Sequence, residues 1–244
     1  MKTMKRDDRD YDLSRMNLKK AAANLNRDYS ASFFRWSFVR RFVTLDHDVL
    51  EIGCGHNRPL YELLFNGIAQ SVNTYLGVDM CELESTNLMR ADFKGEFNFV
   101  ERWRELVTPG ISNGFDVIVH LEVIEHMRVK FGEELLRGCH ELLRPDGKMI
   151  MSAPVFDGKR QSPNHVHEYT IPELQKLLEK IGFVTKRRFG THMRISHLNK
   201  SHDSFAITYM RDELKEYFDN DALSCIFAPL FPDAASGNLW ICEK

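Results

Sequence analysis

Residues 49–56 read Val-Leu-Glu-Ile-Gly-Cys-Gly-His, an apolar run that stops at two glycines separated by one residue. No other stretch of the chain limits the fold so tightly. A short apolar run bounded by glycine reads as a buried strand, and the glycines permit a tight loop that a ligand can approach closely. Glu51 lies inside the run. A carboxylate beside such a loop repels a pyrophosphate and attracts a cation.

The loop resembles the nucleotide-binding turn of Rossmann-type folds. Arg58, however, stands where the third glycine of the dinucleotide fingerprint would fall. S-adenosylmethionine carries an adenosine without phosphate, and its sulfonium and ammonium are both positive. Glu51 with Gly53, Cys54 and Gly55 therefore predicts that cofactor. A second strand is expected over Tyr75 to Asp79, after a helix from about Pro59 to Phe65. Asp79 lies 24 residues beyond Gly55, close to the offset at which an acid accepts hydrogen bonds from a ribose diol, and Met80 follows it on the cofactor side. A third strand over Phe97 to Val100 places Glu101 or Trp103 near the adenine.

The rest of the chain alternates in the same way. Phe115 to His120 reads as a fourth strand, followed by a helix over Val129 to Leu143 with Phe131, Leu135, Leu136, Cys139, Leu142 and Leu143 as its buried stripe. Pro145-Asp146-Gly147 predicts a turn before a fifth strand at Lys148 to Ala153. Thr170 and Glu173 form a capping-box pattern opening a helix that Gly182 closes. Strands at Phe183 to Phe189 and Asn238 to Cys242 complete the pattern, separated by a stretch too long for a hairpin loop. Before the first strand, two helices are expected between Leu13 and Thr44, broken near Asp28-Tyr29-Ser30 with Ser30 as a cap. Phe34, Phe38, Val39 and Phe42 share one side of the second and should pack on the sheet.

Taken together, Leu50 to Gly55, Gly77-Val78-Asp79, the block from Phe115 to Met127 and Leu142 to Lys148 resemble, in order and spacing, the motif series of class I S-adenosylmethionine-dependent methyltransferases. The resemblance spans about residues 46–190 and the final strand. It implies an α/β, Rossmann-like, seven-stranded sheet with helices on both faces and the last strand antiparallel. The organisation is then one domain: an N-terminal helical cap (1–45), a cofactor-binding core (46–190), an insertion on the substrate side (191–236) and the last strand (237–244). By the same resemblance Glu51 and the glycines approach the methionine part, Asp79 the ribose, and His120, Leu121 and Glu122 the far side of the cofactor.

Glu122, Glu125 and His126 also look like the metal-binding block of ubiquinone-pathway O-methyltransferases and of the enzymes that methylate the terminal 2′-hydroxyl of small RNAs. Positions i, i+3 and i+4 share one side of a helical turn, so two carboxylates and an imidazole can converge on Mg²⁺ or Zn²⁺, with His165 or His167 as a further ligand. Without a metal, His126, His165 or His167 is the expected general base. The leading expectation is O-methylation of a small-molecule acceptor.

Composition tempers the alternatives. Residues 1–43 hold eleven Lys or Arg against five Asp, a face that would suit nucleic acid, although the whole chain carries a net charge of only −2. The place after strand four reads His120-Leu121-Glu122-Val123 rather than the Asp/Asn-Pro-Pro-Tyr/Phe of adenine and cytosine amino methyltransferases, which counts against an exocyclic-amine target. A cofactor-binding regulatory module without catalysis is the third reading. Five cysteines without a C-x-x-C pair argue against disulfides and structural zinc and predict a reducing, cytoplasmic setting. The charged first residues predict no export signal, and no apolar run approaches the about 20 residues that span a bilayer.

Overall fold

The computed structural model describes residues 27–53, 72–78, 114–194, 196 and 205–244. Within them six strands form one sheet: β1 (Asp48–Ile52), β2 (Thr74–Val78), β3 (Phe115–Leu121), β4 (Leu143–Pro154), β5 (Val184–His192) and β6 (Gly237–Glu243). Their order is β2-β1-β3-β4-β6-β5. The first four run parallel, and β6 lies between β4 and β5 antiparallel to both, as expected of the last strand. The expected seventh strand at 97–100, the helix at 59–65 and the first N-terminal helix lie outside the described residues. So do Cys54, Gly55, Arg58, Asp79, Met80, Glu101 and Trp103.

β1 and β3 are buried along nearly their whole length because both faces of the sheet are covered. On one face α2 (Val129–Leu142) and α3 (Ile171–Ile181) contribute Leu135, Leu136, Cys139, Leu174 and Leu178 to a core with Leu50, Ile118, Met149 and Trp240. On the other, Trp36 and Val39 of α1 (Arg27–Val39) pack with Val49, Val117, Val119 and Ile150. The capping box is present: Glu173 N–H donates to Thr170 Oγ1, and the Glu173 carboxylate accepts the Thr170 N–H, both at 3.3 Å. Gly182 closes α3 at φ +112°, a left-handed position that glycine adopts without cost.

Four local expectations are corrected. α1 runs straight through Ser30 rather than being capped there; serine is only a modest helix breaker, and burial of Ala31, Trp36 and Val39 outweighs it. The buried face uses Trp36 where Phe34 was expected, while Phe38 and Phe42 sit at the core's margin and Phe38 stacks on Phe189 at 5.0 Å. Phe131 is exposed on α2. Pro145-Asp146-Gly147 is a bulge inside β4 rather than a turn before it: between the pairs Phe115–Leu143 and Val117–Lys148, Asp116 alone of β3 lies opposite four residues of β4.

Among the described residues before β6 lie α4 (Phe205–Leu214), α5 (Asn220–Phe227) and a 3₁₀ turn, Ala228–Leu230. Leu223, Phe227 and Ala228 join Met193 in a small core of their own, and α5 packs against α1. Cys139, Cys225 and Cys242 are all buried. Among the described residues no helix is long and apolar enough to cross a membrane.

Candidate active site at the carboxyl ends of the parallel strands

β1, β2, β3 and β4 all end on one edge of the sheet, and open α/β sheets bind ligands beyond that edge. β1 delivers Glu51 and Gly53 to it. Glu51 is 2% exposed, and its carboxylate accepts the hydroxyl of Tyr75 from β2. Gly53 sits at φ +73°, and a Cβ there would come within 2.5 Å of the Val123 side chain. Glycine is required on both counts.

β3 delivers the next group. His120 is fully buried, and neither ring nitrogen has a hydrogen-bond partner among the described residues. Burial lowers its pKa to about 4, so the ring is neutral. Leu121 belongs to the core on the α1 face. At Glu122 the chain turns in the left-handed region, φ +57°, which a residue with a Cβ adopts only when its surroundings hold it there. The surroundings are visible: its N–H donates to Ser152 O at 3.0 Å, its carboxylate accepts the Ser152 hydroxyl at 2.7 Å, and Arg35 of α1 lies 3.7 Å from the same oxygen.

The turn leads into the 3₁₀ segment Ile124–His126. Glu125 is buried, with no hydrogen-bond partner for either carboxylate oxygen among the described residues. Burial above all, with the Glu122 and Glu168 charges adding and Arg35 opposing, holds it well above the usual carboxylate range. His126 Nε2 lies 3.7 Å from Glu125 Oε1. The loop after β4 is pinned against this turn: the N–H groups of Val166 and His167 donate to Glu125 O at 2.7 and 3.1 Å. It thereby lays the His165 ring edge-on against His126, with centroids 5.1 Å apart.

Glu125, His126 and His165 each bring one ligand atom into a set whose members lie within 4.8 Å of one another. One carboxylate and two imidazoles suit a divalent cation, and the orphaned oxygens of Glu125 are what such an ion would satisfy. Of the four residues expected to share a metal, Glu122 instead turns to Ser152 and Arg35. The ring of His167 bonds to Glu173 through Nε2 at 3.0 Å and meets Tyr169 at 4.5 Å, so only its backbone touches the cluster.

Sequence reasoning missed Arg35, Tyr75, Ser152 and Glu168. Tyr75 is two residues along from the partner of Glu51 in the β1–β2 register, which no spacing rule reveals. Glu168, three residues after His165, carried a local signal.

A family model described as a methyltransferase domain matches residues 24–186. Ubiquinone biosynthesis O-methyltransferases of Pseudomonas aeruginosa are 29% identical over 106 residues, 43% of this chain and 43% of theirs, so the match spans less than half of these curated relatives. Among solved structures, a SAM-dependent methyltransferase from Archaeoglobus fulgidus is 15% identical, with a TM-score of 0.55 over 89% of this chain and 94% of that one. The [4+2]-cyclase SpnF is 12% identical, with a TM-score of 0.53 over 86% of this chain and 79% of its own. At these identities the likeness is one of fold, and the cyclase's name marks how far reactions vary on it. The family model covers well over half of the chain, and with the strand order it shows that the chain belongs to the family of class I S-adenosylmethionine-dependent methyltransferase domains.

Proposed function

We propose that this chain transfers a methyl group from S-adenosylmethionine to a hydroxyl of a small-molecule acceptor. The observation that carries the reading is the convergence of Glu125, His126 and His165 beyond the carboxyl ends of the parallel strands. The partial likeness to ubiquinone biosynthesis O-methyltransferases supports oxygen as the acceptor atom.

On this reading Glu51 and Gly53, with Cys54 and Gly55, approach the cationic methionine part. Asp79 and Met80 lie toward the ribose, Glu101 toward the adenine, and His120, Leu121 and Glu122 on the far side. The acceptor oxygen attacks the methyl carbon in line with the departing sulfur; the carbon–sulfur bond breaks with its electron pair going to sulfur, leaving S-adenosylhomocysteine. The protein supplies alignment, exclusion of water and removal of the hydroxyl proton. His126 or His165 takes that proton. Glu125, His126 and His165 would also hold Mg²⁺ or Zn²⁺, which would make a bound hydroxyl more acidic and orient it.

The test is transfer of tritiated methyl from S-adenosylmethionine into separate pools of small molecules, RNA and DNA, with chelator and with Mg²⁺ or Zn²⁺ restored. Label in the small-molecule pool, as an ether stable to base, is the expected result. Label confined to RNA or DNA would replace this reading with a nucleic-acid methyltransferase. Chelator-sensitive labelling rescued by the cation, and not rescued in Glu125→Ala, is the expected signature of the metal. Full activity in chelator with loss in His126→Ala or His165→Ala would leave a histidine as general base.

A further inference from the structure

Both histidines of the cluster are held through the same ring nitrogen. His126 Nδ1 lies 3.3 Å from the carbonyl oxygen of Asn164, which can only accept, so Nδ1 carries the proton in that contact. His165 Nδ1 lies 2.5 Å from Glu168 Oε1. Glu168 is 5% exposed, and Oε1 also accepts the Gln161 N–H at 2.6 Å. Its second oxygen is buried with no hydrogen-bond partner among the described residues.

The loop holding this pair is fixed from several sides. Gln161 donates its side-chain amide to the carbonyls of Val155 and Ser236 at 2.9 and 2.6 Å, and Arg160 donates to the carbonyl of His165 at 2.9 Å. With the two bonds from Val166 and His167 to Glu125 O, the backbone around His165 has little freedom of its own. What the backbone does not decide is which ring nitrogen keeps the proton. A carboxylate on Nδ1 decides it, and such a partner commonly orients the histidine of a metal or proton-transfer site while raising its basicity.

We propose that Glu168 is a positioning residue: by accepting the Nδ1 proton of His165 it fixes the tautomer and leaves Nε2 as the basic nitrogen that His165 brings to its cluster with Glu125 and His126. The inference rests on the reading of Glu125, His126 and His165 as the reacting set, and it deepens that reading. It explains the burial of a carboxylate on a loop: the charge is used to prepare a neighbouring ring. It also applies whether Nε2 takes a divalent cation or an acceptor's proton.

The experiment uses the full chain in two readouts. The first is long-range ¹H–¹⁵N correlation of the histidine rings at about pH 9, where an unperturbed imidazole is neutral. The second is titration with Zn²⁺ alone. The unchanged chain should show His165 protonated on Nδ1. Glu168→Ala should lose that signature and bind Zn²⁺ about 10- to 100-fold more weakly, the usual cost of a lost outer partner. Glu168→Gln, whose amide oxygen still accepts from Nδ1, should restore the tautomer and part of the affinity. If the unchanged chain binds no Zn²⁺ yet shows the Nδ1 proton, lost in Glu168→Ala, the cation falls and the positioning role stands. His165 protonated on Nε2 in the unchanged chain, or a tautomer unmoved in Glu168→Ala, overturns the proposal. So does a Glu168→Ala or Glu168→Gln variant whose backbone amide spectrum changes throughout, because Glu168 would then be holding the loop rather than the ring.

Discussion

The two edges of the parallel sheet each carry a cluster of charged side chains, and they treat them in opposite ways. At the amino ends, Asp48 of β1 and Asp116 of β3 share Arg144 of β4, through contacts of 2.7 and 2.5 Å. Asp48 also accepts from Asn73 and Thr74 at 2.8 and 2.6 Å, and Asp116 from the Asp48 N–H at 2.8 Å. Although burial pushes the Asp48 carboxyl up, those hydrogen bonds overcome it and hold the group below its ordinary range. At the carboxyl ends, Glu125 is buried with both oxygens unsatisfied, His120 with both nitrogens unsatisfied and Glu168 with one oxygen unsatisfied, among the described residues. A buried polar group without a partner costs about 1 to 3 kcal/mol. The amino edge satisfies its polar groups, and the carboxyl edge leaves several of its own unsatisfied, which on the proposed function keeps them ready for a ligand.

Four substitutions or conditions test that contrast. The largest effect belongs to His120, whose pKa falls to about 4 by burial while the unfolded chain keeps an ordinary imidazole. The unfolded state therefore binds the extra proton between about pH 6.5 and pH 4. Stability present above that window should fall by about 3 kcal/mol as pH drops through it. Denaturant unfolding at a series of pH values should show this slope in the unchanged chain and its loss in His120→Gln; an unaltered slope would remove His120 as its source.

Arg144→Met comes next. It leaves two partly buried aspartates without their shared cation and should cost about 2 kcal/mol in chemical denaturation, with no effect on cofactor binding. Glu125→Gln should act in the opposite sense. With chelator present at neutral pH it should stabilise the fold by about 1 kcal/mol, because an amide is cheaper to bury unpaired than a carboxylate. A destabilised Glu125→Gln would mean that the carboxylate has a stabilising partner. The smallest effect is at Glu122. Its left-handed backbone predicts that Glu122→Gly is more stable than Glu122→Ala by about 0.5 kcal/mol, the relief of Cβ strain less the entropy of glycine. Equal stabilities would show that the turn carries no such strain.

The same contrast explains what could be read in the sequence. Strands at the centre of a covered sheet must be apolar almost throughout, so β1, β3 and the end of β1 at Gly53 were legible as runs and breaks. The capping box on α3 was legible because its two residues answer each other within one turn. The chain of Glu125, His126 and His165 was half legible: the first two are neighbours, and only the fold brings a loop 38 residues further on against them. Glu122 shared their helical spacing on paper, but the chain leaves β3 through a left-handed residue rather than a regular turn, and its side chain turns to Ser152 and Arg35. Arg35 read as one of many basic residues in the N-terminal region. Nothing local distinguishes the arginine that faces the sheet from those that face solvent.

On the proposed function the carboxyl edge is a ligand site for S-adenosylmethionine and the amino edge is scaffold. Calorimetric titration of S-adenosylhomocysteine into the unchanged chain, Glu51→Ala and Arg144→Met tests it most directly. Micromolar binding of about −8 kcal/mol is expected in the unchanged chain, weakened by about 1 to 3 kcal/mol in Glu51→Ala and unaltered in Arg144→Met. Absence of binding to the unchanged chain, or binding that survives Glu51→Ala and is lost in Arg144→Met, would contradict it.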